Sequence, residues 1–288
     1  MDISVITPFY KGNHYLEGLF SCIRECAKAS PQFQIELLLV NDSPDCQMEY
    51  NPDWIDGFTL RTLTNAKNCG IHRSRVNALA VAQGEYIQFL DQDDLLEPSV
   101  FLTQVPLLKN ADVAIANGID QNPRNPGKIY KNAAHHQLST IPDYYYSVGN
   151  QIVSPGHTLI RKNAIPKAWC ETFIANNGSD DLLLWLMMFA QNARFTVNPN
   201  LLYTHVDTGI NVSSDNRKIL RSSQEVLEVM TQFGGMTKKQ ARQFRRSRAM
   251  SLIHANKPKV FKILSMLCYP DVALNILKLR HIRHSKNS

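Results

Sequence analysis

The sequence predicts an α/β protein: a mainly parallel central sheet with helices on both faces, followed by a basic helical C-terminal extension. Three observations predict it. Five apolar runs of strand length lie in the first 120 residues, and most are separated by stretches whose apolar residues recur every three or four positions. That alternation fits parallel strands joined by crossover helices. The charge is also divided: residues 1–237 carry 18 Lys and Arg against 24 Asp and Glu, whereas residues 238–288 carry 13 against Asp271 alone.

The strands are expected at ISVIT (3–7), IELLLV (35–40), FTLRTL (58–63), YIQFL (86–90) and VAIA (113–116), with helices at 13–29, 72–83 and 98–108. Residues 118–155, rich in Asn, Pro, His and Tyr, hold no period and read as a long crossing loop with short helical pieces. Order resumes with a strand at 157–160, a helix at 180–192 and strands across 194–204; from 215 the chain is helical, broken by Pro258 and Pro270. The expected division is an α/β domain over 1–213, with halves at 1–118 and 119–213, and an extension over 214–288.

With 288 residues, 44% of them hydrophobic, the chain can bury a full core. Its start, MDISVITPFY, lacks a basic segment before a long apolar one, and the longest apolar run, LLLWLMMFA, is too short to span a bilayer, so neither a signal peptide nor a membrane-crossing helix is expected. Six cysteines without a CxxC pair read as ordinary thiols rather than a zinc site or disulfide framework.

In parallel sheets ligands bind beyond the carboxyl ends of the strands. Three segments unsuited to a core fall there: PFYKGN, NDSPD and DQDD. Asp91, Asp93 and Asp94 would repel one another and raise each other's pKa in a partly buried cleft. A divalent cation resolves that crowding, and Mg²⁺ or Mn²⁺ takes oxygen ligands of this kind. Capping of the following helix by Asp93 and Asp94 is the competing account.

The order of motifs over residues 3–213 resembles the family-2 glycosyltransferases of the GT-A fold, of the bacterial surface-polysaccharide type. SVITPFYKGNHYLEGLFSCI, LLLVNDSPD, NAKNCGIHRSRVNALAVAQGEYIQFLDQDDLLEP, SPGHTLIRKNAI and GSDDLLLWL carry the likeness, the third most specifically. The resemblance implies an inverting transfer of a sugar from a nucleotide-diphosphate donor, usually uridine-linked, to a hydroxyl of a glycan or lipid-linked oligosaccharide, with Mn²⁺ or Mg²⁺ on the DxD. It further implies that Pro8, Tyr10, Asp42, Asn68 and Arg75 line the nucleotide, that Asp91 bonds the ribose or sugar, and that Asp93 ligates the metal. Val76 stands where the family has Asn, and a surface helix arginine is the competing account of Arg75. Asp181 falls at the catalytic base, preceded by Asp180 where the family has Glu; Gly156, His157 and Asp180 fall in segments bordering donor sugar and acceptor. His205 sits where related enzymes carry a late metal- or diphosphate-binding His. The base role matches the chemistry: one carboxylate must take the acceptor's proton during attack.

The tail places apolar residues at 260, 263, 264 and 267 among lysines, a basic amphipathic pattern that suits a membrane surface as well as packing on the domain. These readings put the protein in the cytoplasm, peripheral at the inner face of the cell membrane. A sugar nucleotidyltransferase would need a Gly-rich, basic loop after the first strand, which is missing; a non-enzymatic membrane or nucleic-acid binder using the tail is the other alternative. No RNA-binding signature supports nucleic acid.

Overall fold

The structure, a computed structural model, describes residues 1–123, 126–176, 178–209 and 216–285. It divides into two compact units, one of Met1–Ile129, Ser154–Ile165 and Ala193–Gly209, the other of Tyr130–Val153, Pro166–Asn192 and Ile210–Ser288. These bounds differ from the expected 1–213 and 214–288. Helices from the middle of the chain pack with the C-terminal helices, so the second unit is larger than an appendage.

The first unit is built on strands β1 (Ile3–Phe9), β2 (Ile35–Asn41), β3 (Thr59–Thr64), β4 (Tyr86–Phe89), β5 (Leu95–Leu96), β6 (Val113–Asp120), β7 (Gly127–Lys128), β8 (Thr158–Arg161) and β9 (Phe195–His205). They form one sheet in the order β3-β2-β1-β4-β8-β6-β9-β5, with β7 on β6. All seven residues of β2 are buried, as a strand covered on both faces requires, whereas β3, at the edge, has no buried residue. β1, β2, β3 and β4 are mutually parallel, and order reverses between β1 and β4. That reversal opens a crevice at their carboxyl ends.

Beyond β4 the sheet is mixed rather than mainly parallel. β8 runs antiparallel to both β4 and β6 because the chain returns to the sheet from the end at which β6 left it. Helix α1 (Asn13–Ala29) buries Leu16, Leu19, Phe20 and Ile23, the spacing that predicted it. Helix α2 (Ile71–Val81) starts after Gly70, whose φ of 85° only glycine adopts at low cost. Helix α3 (Val100–Gln104) gives way to a 3₁₀ turn through Lys109, where Pro106 lacks the amide the helix needs.

The sheet's amino end is tied by Glu36, which is fully buried. It accepts from Ser4 Oγ at 2.5 Å, the Gln83 amide at 2.6 Å and Arg61 Nη1 at 2.8 Å, joining β1, β2, β3 and the turn before β4. Burial works against its charge, but Ser4, the Gln83 amide and Arg61 together hold its carboxyl below the usual range. The stability it contributes is therefore present above the ordinary Glu range and is lost as pH falls below that range through the depressed folded value. Glu36→Ala leaves Arg61 and two donors without their acceptor and is expected to cost about 3 kcal/mol in urea unfolding. A loss below 1 kcal/mol would contradict the tie.

The second unit holds α4 (Ala133–Gln137), α5 (Pro142–Ser147), α6 (Lys167–Glu171), α7 (Asp180–Ala190), α8 (Asn216–Gln232), α9 (Lys238–Asn256), α10 (Lys259–Cys268) and α11 (Pro270–His284). α7 is apolar all round and buried from Leu182 to Met188, and Trp169 Nε1 donates to the Asp180 carbonyl at 2.9 Å. Thr237 and Gln240 form a capping box on α9. Asn132 Nδ2 donates to the Ile282 carbonyl at 2.7 Å, and Arg283 Nε to His135 Nε2 at 2.9 Å, fixing α11 to α4.

Candidate functional site

The three carboxylates of DQDD follow β4 at the β1/β4 crevice, and their surroundings differ. Asp91 pairs with Arg75 at 2.6 Å; Arg75 is only 3% exposed and lies over the Phe89 ring. It is a buried member of the site and not a surface arginine. Asp94, 1% exposed, accepts from Tyr203 Oη, from His205 Nδ1 at 3.1 Å and from the Val206 amide at 3.0 Å. It fastens the end of β9 and caps no helix: Leu95 and Leu96 form β5, and α3 begins only at Val100.

Asp93 has no such compensation. Burial, then the charges of Asp94 and Asp91, push its carboxyl up to about 6, against smaller opposing pulls from its own backbone amide and from His205. For His205 burial favours the neutral ring, but the Asp94 hydrogen bond and charge, with Asp120 and Asp91, outweigh it and push the imidazole up to about 9. Burial, with the charges of Asp94 and Asp91, keeps Tyr203 protonated, so its hydroxyl donates. Tyr203→Phe removes one donor from a buried carboxylate and is expected to lower stability by about 1.5–3 kcal/mol in denaturant unfolding. An unchanged midpoint would show that Asp94 does not depend on it.

Gln92, the central residue of the triplet, pins the loop after β1: its Oε1 accepts the Tyr10 amide at 3.0 Å and its Nε2 donates to the Tyr10 carbonyl at 3.3 Å. The Tyr10 side chain stays exposed, with the Lys11 ammonium 5.5 Å from its ring, and Pro8 is half-buried within β1. At the neighbouring strand end Asp42 is buried. Its Oδ1 accepts from Asn65 Nδ2 at 2.8 Å and the Cys69 amide at 2.7 Å, and its Oδ2 accepts the Gly70 amide at 2.8 Å. Asp42 thus anchors the start of α2. Asn68 lies exposed in that turn, accepting the Gly70 amide at 3.1 Å.

Gly156 and His157 lie beneath this site, not at its surface. His157 is fully buried, its Nδ1 2.8 Å from the Ala116 carbonyl, and it stacks on Tyr203. A Cβ on Gly156 would meet the Tyr203 ring at 2.5 Å. Both meet Tyr203, whose hydroxyl bonds Asp94.

The remaining expected residues belong to the second unit. Asp180 is buried in the first turn of α7. Asp181 is half-buried; its Oδ1 accepts the Leu182 amide at 2.7 Å and its Oδ2 accepts Asn150 Nδ2 at 2.7 Å. Ser179 is the helix N-cap, without a side-chain capping bond. Asn150, within a segment read as loop, orients that carboxylate and was not singled out by sequence.

Among the described residues no three His, Cys, Asp or Glu side chains gather as a metal cluster. Asp93, uncompensated, and His205 are the donors that suit an ion sharing its other ligands with a bound phosphate. Asp94 holds Nδ1 of His205 by a hydrogen bond, the arrangement in which a carboxylate orients a ligating imidazole, and an ion taking the ring would displace the proton that Asp94 favours on it. The residues fit a divalent cation.

A family profile for glycosyl transferase family 2 matches residues 4–169, more than half of the chain. The chain belongs to that family. Glycosyltransferase GlyG of Streptococcus pneumoniae serotype 4 (strain ATCC BAA-334 / TIGR4) is 30% identical to this family 2 chain over 122 residues, 40% of the chain and 38% of GlyG. The minor teichoic acid biosynthesis protein GgaB of Bacillus subtilis (strain 168) is 36% identical over 103 residues, 35% of the chain and 11% of GgaB. The matches span well under half of either relative. S. aureus TarS 1–349 in complex with UDP-GlcNAc superposes with a TM-score of 0.65 at 17% identity, covering 98% of this family 2 chain and 87% of TarS 1–349. The mannosyltransferase PcManGT of Pyrobaculum calidifontis, in complex with GDP-Man and Mn²⁺, gives 0.55 at 13%, covering 99% and 88%. At such identities the likeness is one of fold, and it is the fold expected from the sequence.

Proposed function

We propose that the protein transfers a sugar, with inversion, from a nucleoside-diphosphate sugar, UDP-linked by preference, to a hydroxyl of a glycan or lipid-linked acceptor in surface polysaccharide synthesis. The observation that carries this reading is the inequality of the DQDD carboxylates: Asp91 and Asp94 are paired, and Asp93 is left charged at the crevice where an α/β sheet takes a nucleotide. Support also comes from family membership and from the nucleotide sugars bound by TarS and PcManGT.

In this reading Asp93 and His205 hold Mn²⁺ or Mg²⁺, which when bound supplies charge neutralisation to the departing diphosphate. Arg75 fixes Asp91 toward the donor's ribose or sugar, and Gln92 holds the loop of Pro8 and Tyr10 beside the nucleotide. Asn68 and the turn anchored by Asp42 contribute the adjoining wall. Asp181, oriented by Asn150 and the Leu182 amide, takes the acceptor's proton as its oxygen attacks the anomeric carbon. Work at the inner face of the cell membrane fits a lipid-linked acceptor.

The test is a panel of UDP-, GDP- and dTDP-sugars, followed by thermal shift and by donor hydrolysis, with and without Mn²⁺. One donor class should raise the melting temperature in a Mn²⁺-dependent way and be turned over. A panel without any Mn²⁺-dependent shift or turnover would remove the reading.

A further inference from the structure

Helix α10 is oriented against the usual rule. Its polar Ser265 is 3% exposed and bonds His254 Nε2 of α9 at 3.1 Å, while Val260, Phe261, Ile263, Leu264 and Leu267 are 50–73% exposed. At about 100° per residue, Val260, Ile263, Leu264 and Leu267 form one outward stripe. α11 adds Leu274 and Leu277, also exposed. A patch of that kind on an otherwise well-buried chain marks a docking surface.

We propose that this stripe docks on an anionic lipid surface, with α10 lying in the headgroup plane. Its borders carry the exposed Lys257, Lys259, Lys278 and Arg280, and the only acid after residue 237, Asp271, is tied to Arg246 at 2.9 Å. The stripe enters the acyl boundary and the cations meet lipid phosphates. A second copy suits this face poorly, because a two-fold contact sets one basic border against another. Nucleic acid would leave the leucines without a role. Among the described residues no single helix is long and apolar enough to cross a membrane; α10 and α11 pass that test only together, across a 110° bend. Ten residues of α10 reach about 15 Å, half of a hydrocarbon core, so the helix lies on the surface.

The full chain is sedimented with phosphatidylcholine vesicles and with vesicles containing 30 mol% phosphatidylglycerol. Binding is expected to the anionic vesicles, at least tenfold weaker to neutral ones, and at least tenfold weaker for the double variant Ile263→Ser, Leu267→Ser. Both side chains are exposed, so its melting temperature should match the parent. Leu267→Trp supplies a second readout, a blue shift of emission on adding anionic vesicles. Failure to bind anionic vesicles, binding unaffected by the double variant, or a lipid-free dimer that the double variant dissociates would each overturn the proposal.

Discussion

Asp181→Asn is expected to lower kcat by about 10²–10⁴-fold while leaving the affinity for the nucleotide sugar unchanged. The substitution removes the proton acceptor while keeping the side chain's size and one accepting oxygen. Oδ1 still accepts the Leu182 amide, and Asn150 can turn its amide to meet the new NH₂ group. α7 is held by the burial of Leu182 to Met188 and by the Trp169 bond to the Asp180 carbonyl, neither of which involves the changed group. Donor affinity measured by titration, set beside single-turnover transfer, separates the roles. A kcat within threefold of the parent would move the base elsewhere; a lost donor affinity would make Asp181 a binding residue.

How much of this was legible in the sequence depends on how local the cause is. β1, β2 and β4 fell within a residue or two of their expected places because two-sided burial writes continuous apolar runs, and the edge strand β3 did so through its β-branched and leucine residues. β5 was not assigned from sequence, since two leucines carry no period and their partner is β9, more than 100 residues away. The direction of β8 and the grouping of α4, α5, α6 and α7 with the C-terminal helices are decided by packing between distant segments, and no composition shift announces them.

The site follows the same division. Crowded carboxylates after a buried strand were readable, and so was their need for positive charge. What each one does was not: capping a helix stood as the competing account of Asp94 until Tyr203 and His205 arrived from β9, and Gln92, which meets Tyr10, was not singled out. His157 could be placed by motif but not by depth, and the side chain that uses it is again Tyr203.

Removing the charge of Asp93 should stabilise the metal-free protein. Its carboxyl ordinarily titrates near 3.8 and is pushed up to about 6 in the folded chain by burial, Asp94 and Asp91. The folded state therefore holds that proton more tightly than the unfolded one, and stability is lost as pH rises from the ordinary value through 6. Asp93→Asn escapes this loss. In EDTA at pH 8 the variant should exceed the parent by about 1–2 kcal/mol after allowance for solvent screening, a rise of roughly 2–6 °C in melting temperature, with no difference at pH 3.5. With Mn²⁺ and UDP the order should reverse, because only the parent gains by mass action, and transfer by the variant should fall at least ~10²-fold. Equal gains from Mn²⁺ and UDP in both proteins would remove Asp93 from the ion. A capping carboxylate behaves differently, since its loss weakens a helix end in EDTA and in Mn²⁺ alike. The change of sign between the two conditions is thus what distinguishes a charge held for a cation from one held for the fold.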